Sequence, residues 1–416
     1  MTSPTAHRTG SSVVEVTRDD GTPAARTEVV VEQVRHAFGF GNIGFDLIGL
    51  ANGERDDRPQ VFGGAGAEHR ERLAELWLDL FDTATLPFYW SGFEAVEGEP
   101  DTERLLTAAR WFVERGVTVK GHPLVWHTLV PRWLLGRSDD VVEATIRGRV
   151  RREVADFAGV IDLWDAINEV VIMPVFDKED NAVTRLAQAR GRVAMVRLAF
   201  DEARAANPAA RLVLNDFNLS ADCEHLIEEC LEAGIAIDAL GLQTHMHQGY
   251  RGEEEVLAIL DRFARFGLPL QLTETTLVSG DLMPAHIVDL NDYQVPSWPS
   301  TRAGEERQAD ELVRHYRTLV GHPAVESATY WGLTDEGAWL GAPAGLVRAD
   351  GTPKPAYDAL RALVRGEWWL PPTRMTTDEA GRVTVRGFAG DYRVAVPGGR
   401  AFDVTLEAPS SQDVRM

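Results

Sequence analysis

Eight short apolar runs, each followed by a longer stretch of helical period, constrain this chain more than any other feature. The runs fall near 36–43, 81–88, 117–126, 162–168, 211–217, 236–245, 268–274 and 327–333. Helix-like segments lie between them, for example 67–80, 103–115, 139–157, 187–206, 252–266 and 304–320. Strands joined through helices run parallel, because a parallel pair needs a long crossover. A series of this length predicts an α/β fold, a (β/α)8 TIM barrel. An open doubly wound sheet is the competitor. It asks for Gly-x-Gly-x-x-Gly after the first strand, and Gly39-Phe40-Gly41-Asn42-Ile43-Gly44 only approximates that turn.

The flanks have a different rhythm. Residues 1–10 read as a flexible lead, and 11–34 as two strands folding back around Asp19-Asp20-Gly21, a hairpin. After Trp368-Trp369-Leu370-Pro371-Pro372 the period becomes two, over 382–386, 392–396 and 402–406. Trp368 and Trp369 are expected to cover the barrel base or the junction with this appendage. Three strands are marginal alone, so they are expected to join the N-terminal strands in a small accessory β-sheet. The predicted division is 1–34, a barrel over 35–370, and a β-rich appendage over 371–416 with a frayed end from 408. No aromatic strip marks 373–408, which suits a structural role. The stretch 277–303 breaks the barrel rhythm and follows the strand ending in Glu274, so it is expected to overhang the rim.

With 44% hydrophobic residues the chain can bury a large core, and its formal net charge is −22. That charge argues against nucleic acid, whose phosphates require a basic surface, and disfavours anionic membranes. No apolar run reaches the length of a membrane span. Met1–Arg8 has no apolar signal core, so a cytoplasmic location is expected, or a secreted one if a signal was trimmed. Cys223 and Cys230 are seven apart in a helical stretch. That is roughly 10 Å of rise, too far for a disulfide. The oligomeric state is not written in the sequence.

Two carboxylates dominate the rim. Glu169 closes Leu163-Trp164-Asp165-Ala166-Ile167-Asn168-Glu169, and Glu274 sits in Leu270-Gln271-Leu272-Thr273-Glu274. The C-terminal ends of barrel strands carry catalytic groups. Glycosidic bond cleavage needs such a pair: one donates a proton to the leaving oxygen, the other attacks or activates water. A lone glutamate after a strand is more often a surface residue, so the joint placement carries the argument. His245 and His247, at i and i+2, would share one strand face, as in metal-dependent barrel hydrolases. A strand-1 His-x-His is missing, and paired carboxylates need no metal, so neither metal nor cofactor is expected.

In chain order, Gly121-His122-Pro123-Leu124-Val125-Trp126-His127, Trp164–Glu169, Asn215-Asp216-Phe217-Asn218, Gly241-Leu242-Gln243-Thr244-His245, Leu272-Thr273-Glu274 and Trp331–Trp339 stand on the expected strands. With them the chain, over about 36–365, resembles the catalytic domain of glycoside hydrolase family 10, the xylanases. The resemblance implies a retaining β-glycosidase that binds carbohydrate or a related glycoside. Glu169 would be general acid and then base, and Glu274 a nucleophile held by His245. Asn168 would bond the sugar 2-hydroxyl. Gln243 and His127 would bond the sugar or the catalytic pair, and Trp331 and Trp339 would form its platform and wall. Trp90, Trp133 and Asn215 would complete substrate binding. Trp126 is expected in the core.

The chain departs from the family where the second strand ends. Family xylanases place a Glu, an Asn and a Lys there, whereas this chain reads Thr85-Leu86-Pro87-Phe88-Tyr89-Trp90. Thr276 stands for the usual Asp, Ala338 for a Ser and Phe217 for a Tyr. A site that loses partners for hydroxyls changes its selectivity. Short xylo-oligosaccharides are therefore favoured over plain xylan. The alternative is a tomatinase-like hydrolase, which detaches an oligosaccharide from a steroidal glycoalkaloid, with the apolar 277–303 loop cradling the aglycone.

Overall fold

The computed structural model describes residues 5–55, 69–397 and 399–408. Its centre is a closed parallel barrel of β3 (Gly39–Ile43), β4 (Thr83–Pro87), β5 (Thr118–His122), β6 (Leu163–Asn168), β7 (Arg211–Asp216), β8 (Ala239–Met246), β9 (Leu270–Leu277) and β10 (Val325–Tyr330), with β10 closing onto β3. All eight lie within or against the predicted runs, and the fold is the expected (β/α)8 barrel. The strands read as continuous apolar runs because helices cover one face and the barrel interior the other; Leu212, Val213 and Leu214 of β7 are all buried.

Helices Arg70–Leu80, Thr102–Val113, Asp139–Asp156, Glu253–Ala264 and Arg302–Gly321 match their expected segments, with residues 67 and 68 outside the described residues. The segment expected as one helix at 187–206 is two, Ala182–Arg190 and Arg192–Ala206. Gly191 between them has φ +84°, a conformation that ends the first helix and caps the second. Among the described residues no helix is long and apolar enough to cross a membrane.

The flanks form a small β unit, but not by the expected hairpin. β1 (Thr9–Glu15) pairs antiparallel with β12 (Arg382–Phe388). β2 (Glu28–His36) lies between β11 (Thr373–Thr376) and β13 (Gly390–Ala395), and β14 (Ala401–Leu406) completes that second sheet. The turn at Asp20-Gly21 does form, with Gly21 donating to the Arg18 carbonyl. It joins two sheets instead of two paired strands. The reason lies in burial: Val14 and Val16 on one side and Val29 and Val31 on the other bury against Val383, Val385, Tyr392, Val394 and Leu406. The described part of the lead is ordered too. Ala6–Arg8 forms a short 3-10 turn, and the Arg8 guanidinium donates to the carbonyls of Val320 and His322, at 3.1 and 2.7 Å, and to that of Val325. Residues 1–4 and 409–416 lie outside the described residues. Trp368 stacks on Phe40 at 6.0 Å and Trp369 meets His36 at 5.0 Å, sealing the junction of barrel and appendage.

Because all barrel strands run one way, their C-terminal ends share one rim. Register shifts interrupt β6 between Asp165 and Ile167, and the β8–β9 ladder between Leu242–Leu272 and Gln243–Glu274. Such bulges re-aim side chains, and both lie just before or at a predicted carboxylate.

Candidate active site

Glu169 follows β6 with φ +56°, in the left-handed region that non-glycine residues seldom occupy. Backbone strain of this kind concentrates at functional sites. Its amide donates to the Asn215 carbonyl at 2.9 Å. The carboxyl accepts from Trp126 Nε1 at 2.8 Å and Gln243 Nε2 at 3.2 Å. Only 15% of the side chain is exposed. Burial, and after it the charge of Glu274, pushes its pKa up to about 8.

Glu274 is held from both sides. Asn215 Nδ2 donates to Oε1 at 3.1 Å, and His245 Nε2 lies 3.1 Å from Oε2. His245 Nδ1 is 3.2 Å from the Thr276 hydroxyl. The ring is thus held at both nitrogens, by the Glu274 carboxyl at Nε2 and at Nδ1 by the Thr276 hydroxyl, which can donate or accept. His122 Nε2 stands 3.8 Å from Oε1, and its Nδ1 is fixed by Asp165 at 2.7 Å. Burial pushes the Asp165 carboxyl up, but Lys120, 2.6 Å away, and His122 hold it below its ordinary value.

An amide lattice joins the two carboxyls. Asn215 Nδ2 also donates to Asn168 Oδ1 at 2.8 Å, Gln243 Nε2 donates to the same oxygen at 3.0 Å, and Thr273 Oγ1 donates to Asn215 Oδ1 at 2.6 Å. The Asn168 oxygen thus accepts from two donors. The lattice floors a cavity of about 700 Å³ that Glu169, Glu274, Asn168, Gln243, His127, His245, Trp331 and Trp339 all line.

Other expected site residues fall elsewhere. Trp90 and Trp133 do not line the cavity. Trp90 is buried, its N–H bound to Glu94 at 3.0 Å and its ring covered by Arg149, and Trp133 packs edge-on against it. The turn after β4 swings Trp90 outward, so sequence order misplaced both. Asn215 is fully buried and positions Glu274 instead of facing a ligand. Burial lowers the pKa of His127 to about 3, so the ring is neutral, and its Nε2 is 4.0 Å from Glu169, beyond hydrogen-bond range. Trp126, expected in the core, lines the cavity and donates to Glu169. Nothing local marks it; only the turn at 123–127 brings it inward.

His245 and His247 do not converge. Their rings stack 6.0 Å apart, and burial lowers the pKa of His247 to about 3. Among the described residues no three His, Cys, Asp or Glu side chains gather as a metal site.

At the ends of β3 and β4 the wall is apolar. Tyr89, Trp126, Leu129 and Trp331 line the cavity there, and the buried Ile43 and Phe45 pack in the same cluster without reaching it. Burial raises the pKa of Tyr89 well above its ordinary value, and the charges of Glu274 and Glu169 raise it further, so the phenol stays protonated. On the opposite side, residues that follow Glu169 and β7 add Ile172, Phe176 and Phe217. The 277–303 stretch does overhang the rim: Val288–Asp292 line the cavity, while Val278, Met283 and Trp298 pack beneath.

The model of the family described as "Glycosyl hydrolase family 10" matches residues 90–363, more than half of the chain. Endo-1,4-beta-xylanase B of Thermotoga neapolitana is 28% identical over 268 residues, covering 61% of this chain and 71% of that protein. The anti-sigma-I factor RsgI6 of Acetivibrio thermocellus is 27% identical over 301 residues, which are 70% of this chain but 34% of that protein. Among solved structures, xylanase 10B from Thermotoga petrophila RKU-1 in complex with xylobiose is 21% identical with a TM-score of 0.63, covering 80% of this chain and 95% of that one.

Proposed function

The chain belongs to glycosyl hydrolase family 10, and from that premise we propose that it hydrolyses β-glycosides with retention, by double displacement on Glu169 and Glu274. Glu169 holds its proton up to about pH 8. It gives that proton to the glycosidic oxygen as the Glu274 carboxylate attacks the anomeric carbon, and the C–O bond to the leaving group breaks. Glu169, now a carboxylate, takes a proton from water, whose oxygen displaces Glu274 and restores both groups. Asn168 Nδ2 binds the 2-hydroxyl of the reacting sugar, and Trp331 and Trp339 flank its apolar face.

One observation carries this reading: a single amide lattice holds two carboxyls in different environments, one kept protonated by burial and one bracketed by hydrogen-bond donors. The substrates proposed are short xylo-oligosaccharides or a related β-glycoside. Mass spectrometry of xylohexaose digests, with NMR of the newborn anomer, tests this. Labelling of Glu274 by a 2-deoxy-2-fluoro aryl glycoside and a β-anomer product support it; an initial α-anomer overturns it. The apolar patch of Ile172, Phe176, Phe217, Val288 and Leu290 favours a second reading, a plant glycoside with an apolar aglycone. Incubation with a steroidal glycoalkaloid in parallel decides between them.

A further inference from the structure

A contact between two distant loops changes what the cleft can accept. Lys178 follows β6, the strand that leads into Glu169. Its ammonium lies 2.9 and 3.0 Å from the Asp292 carboxylate oxygens and 3.7 Å from Asp289. Asp289 and Asp292 follow β9, the strand of Glu274. In barrel order β7 and β8 stand between those strands, so the ion pair spans the ends of both. Phe217, Gln248 and Arg251, from the loops of β7 and β8, line the same cavity.

Two further contacts fasten the span. Gln248 Nε2 donates to the carbonyls of Pro284 and Ile287 at 2.9 and 2.8 Å, tying the overhanging stretch to the β8 loop. Trp339 Nε1 donates to Asn291 Oδ1 at 3.2 Å, tying it to the far wall. Exposed ion pairs add little stability, so the importance of Lys178 lies in its position.

The acid's side of the cleft receives the leaving group, because Glu169 protonates the leaving oxygen. That side holds Phe176, whose ring meets His127 at 4.5 Å beside Glu169, and then Lys178. The cavity of about 700 Å³ falls in the range of small-molecule sites, roughly 300–1,000 Å³.

We propose that Lys178, clasped by Asp289 and Asp292, is a specificity-determining strap across the leaving-group end of the cleft. The enzyme then releases a compact, ring-sized leaving group and does not cut inside long chains. This rests on the glycosidase reading above. The test compares kcat/KM for the best-accepted 4-nitrophenyl β-glycoside with that for the matching β-1,4-linked hexasaccharide, in wild type, Lys178→Ala, and the charge exchange of Lys178→Asp with Asp292→Lys. Wild type is expected to favour the aryl glycoside and to trim the hexasaccharide from its end. Lys178→Ala should shift the ratio at least about ten-fold toward the hexasaccharide, with mid-chain products, and the exchange should shift it back. Mid-chain cutting by wild type, or a ratio unmoved by Lys178→Ala, overturns the strap while leaving the glycosidase intact. No turnover of any substrate by wild type, with Glu274 unlabelled by a fluorinated aryl glycoside, overturns the glycosidase reading and the strap with it.

Discussion

Beneath the reacting position, Asn168, Asn215, Gln243 and His245 bond to one another or to the two carboxyls within 3.2 Å. Beside it, the end of β4 offers Tyr89 as an apolar wall, packed on the buried Ile43 and Phe45. The family match covers the floor and begins at residue 90, immediately after Tyr89. The floor must fit a reaction, in which misplaced dipoles raise the barrier directly. The wall only has to fit a molecule, and molecules vary. On the proposed reading, chemistry and selectivity occupy adjoining regions that should respond differently to change.

The sharpest way to break that contrast is at the floor. Glu274→Ala should lower kcat by on the order of 10⁴–10⁶-fold, and Glu169→Gln by about 10²–10⁴-fold, with circular dichroism unchanged. A loss below ten-fold in either would mean the floor does not perform the chemistry.

Glu169 also sets a pH limit. As the proposed acid it must be protonated, so kcat/KM should fall as pH rises through about 8. Linkage runs the same way. The folded carboxyl keeps its proton up to about 8 while the unfolded one loses it near 4.5, so its contribution to stability declines across that window as pH rises. Glu169→Gln should therefore unfold at higher denaturant than wild type at pH 8, and the difference should vanish below pH 4.5. Identical midpoints at pH 8 would refute the raised pKa.

At the wall the expected effect is on stability. Tyr89→Ala opens a cavity among buried rings and should cost about 3–5 kcal/mol in chemical denaturation, with the pH profile of the surviving activity unmoved. A shifted profile would show that Tyr89 belongs to the floor. The smallest effect is expected at Thr276. Loss of one hydrogen bond to His245 in Thr276→Val should lower kcat by about two- to ten-fold with KM little changed, and Thr276→Ser should restore it.

Much of this was legible in the sequence because it depends on local pattern. The alternation of runs predicts eight parallel strands, and parallel strands in a barrel put their C-terminal residues on one rim. Asn168, Glu169, Gln243, His245 and Glu274 are thereby neighbours without any knowledge of packing. That the C-terminal strands join the N-terminal ones was legible; that Val14 pairs with Val383 in a sheet apart from that of Val29 and Val31, and not across a hairpin, was not, since both arrangements satisfy the same alternation. The cavity-facing Trp126 and the outward Trp90 have equivalent sequence surroundings and opposite fates.

The sequence by itself therefore determined the barrel, the rim and the identity of the two carboxyls, since strand period and chain direction are local properties. Only the tertiary structure decided that Glu169 adopts φ +56° and is pushed toward neutrality, that bulges in the β6–β7 and β8–β9 ladders aim the pair, and that Lys178 meets Asp292, 114 residues away. Desolvation, register and charge pairing depend on atoms that the chain brings together from distant positions, and those forces act only once the barrel has closed.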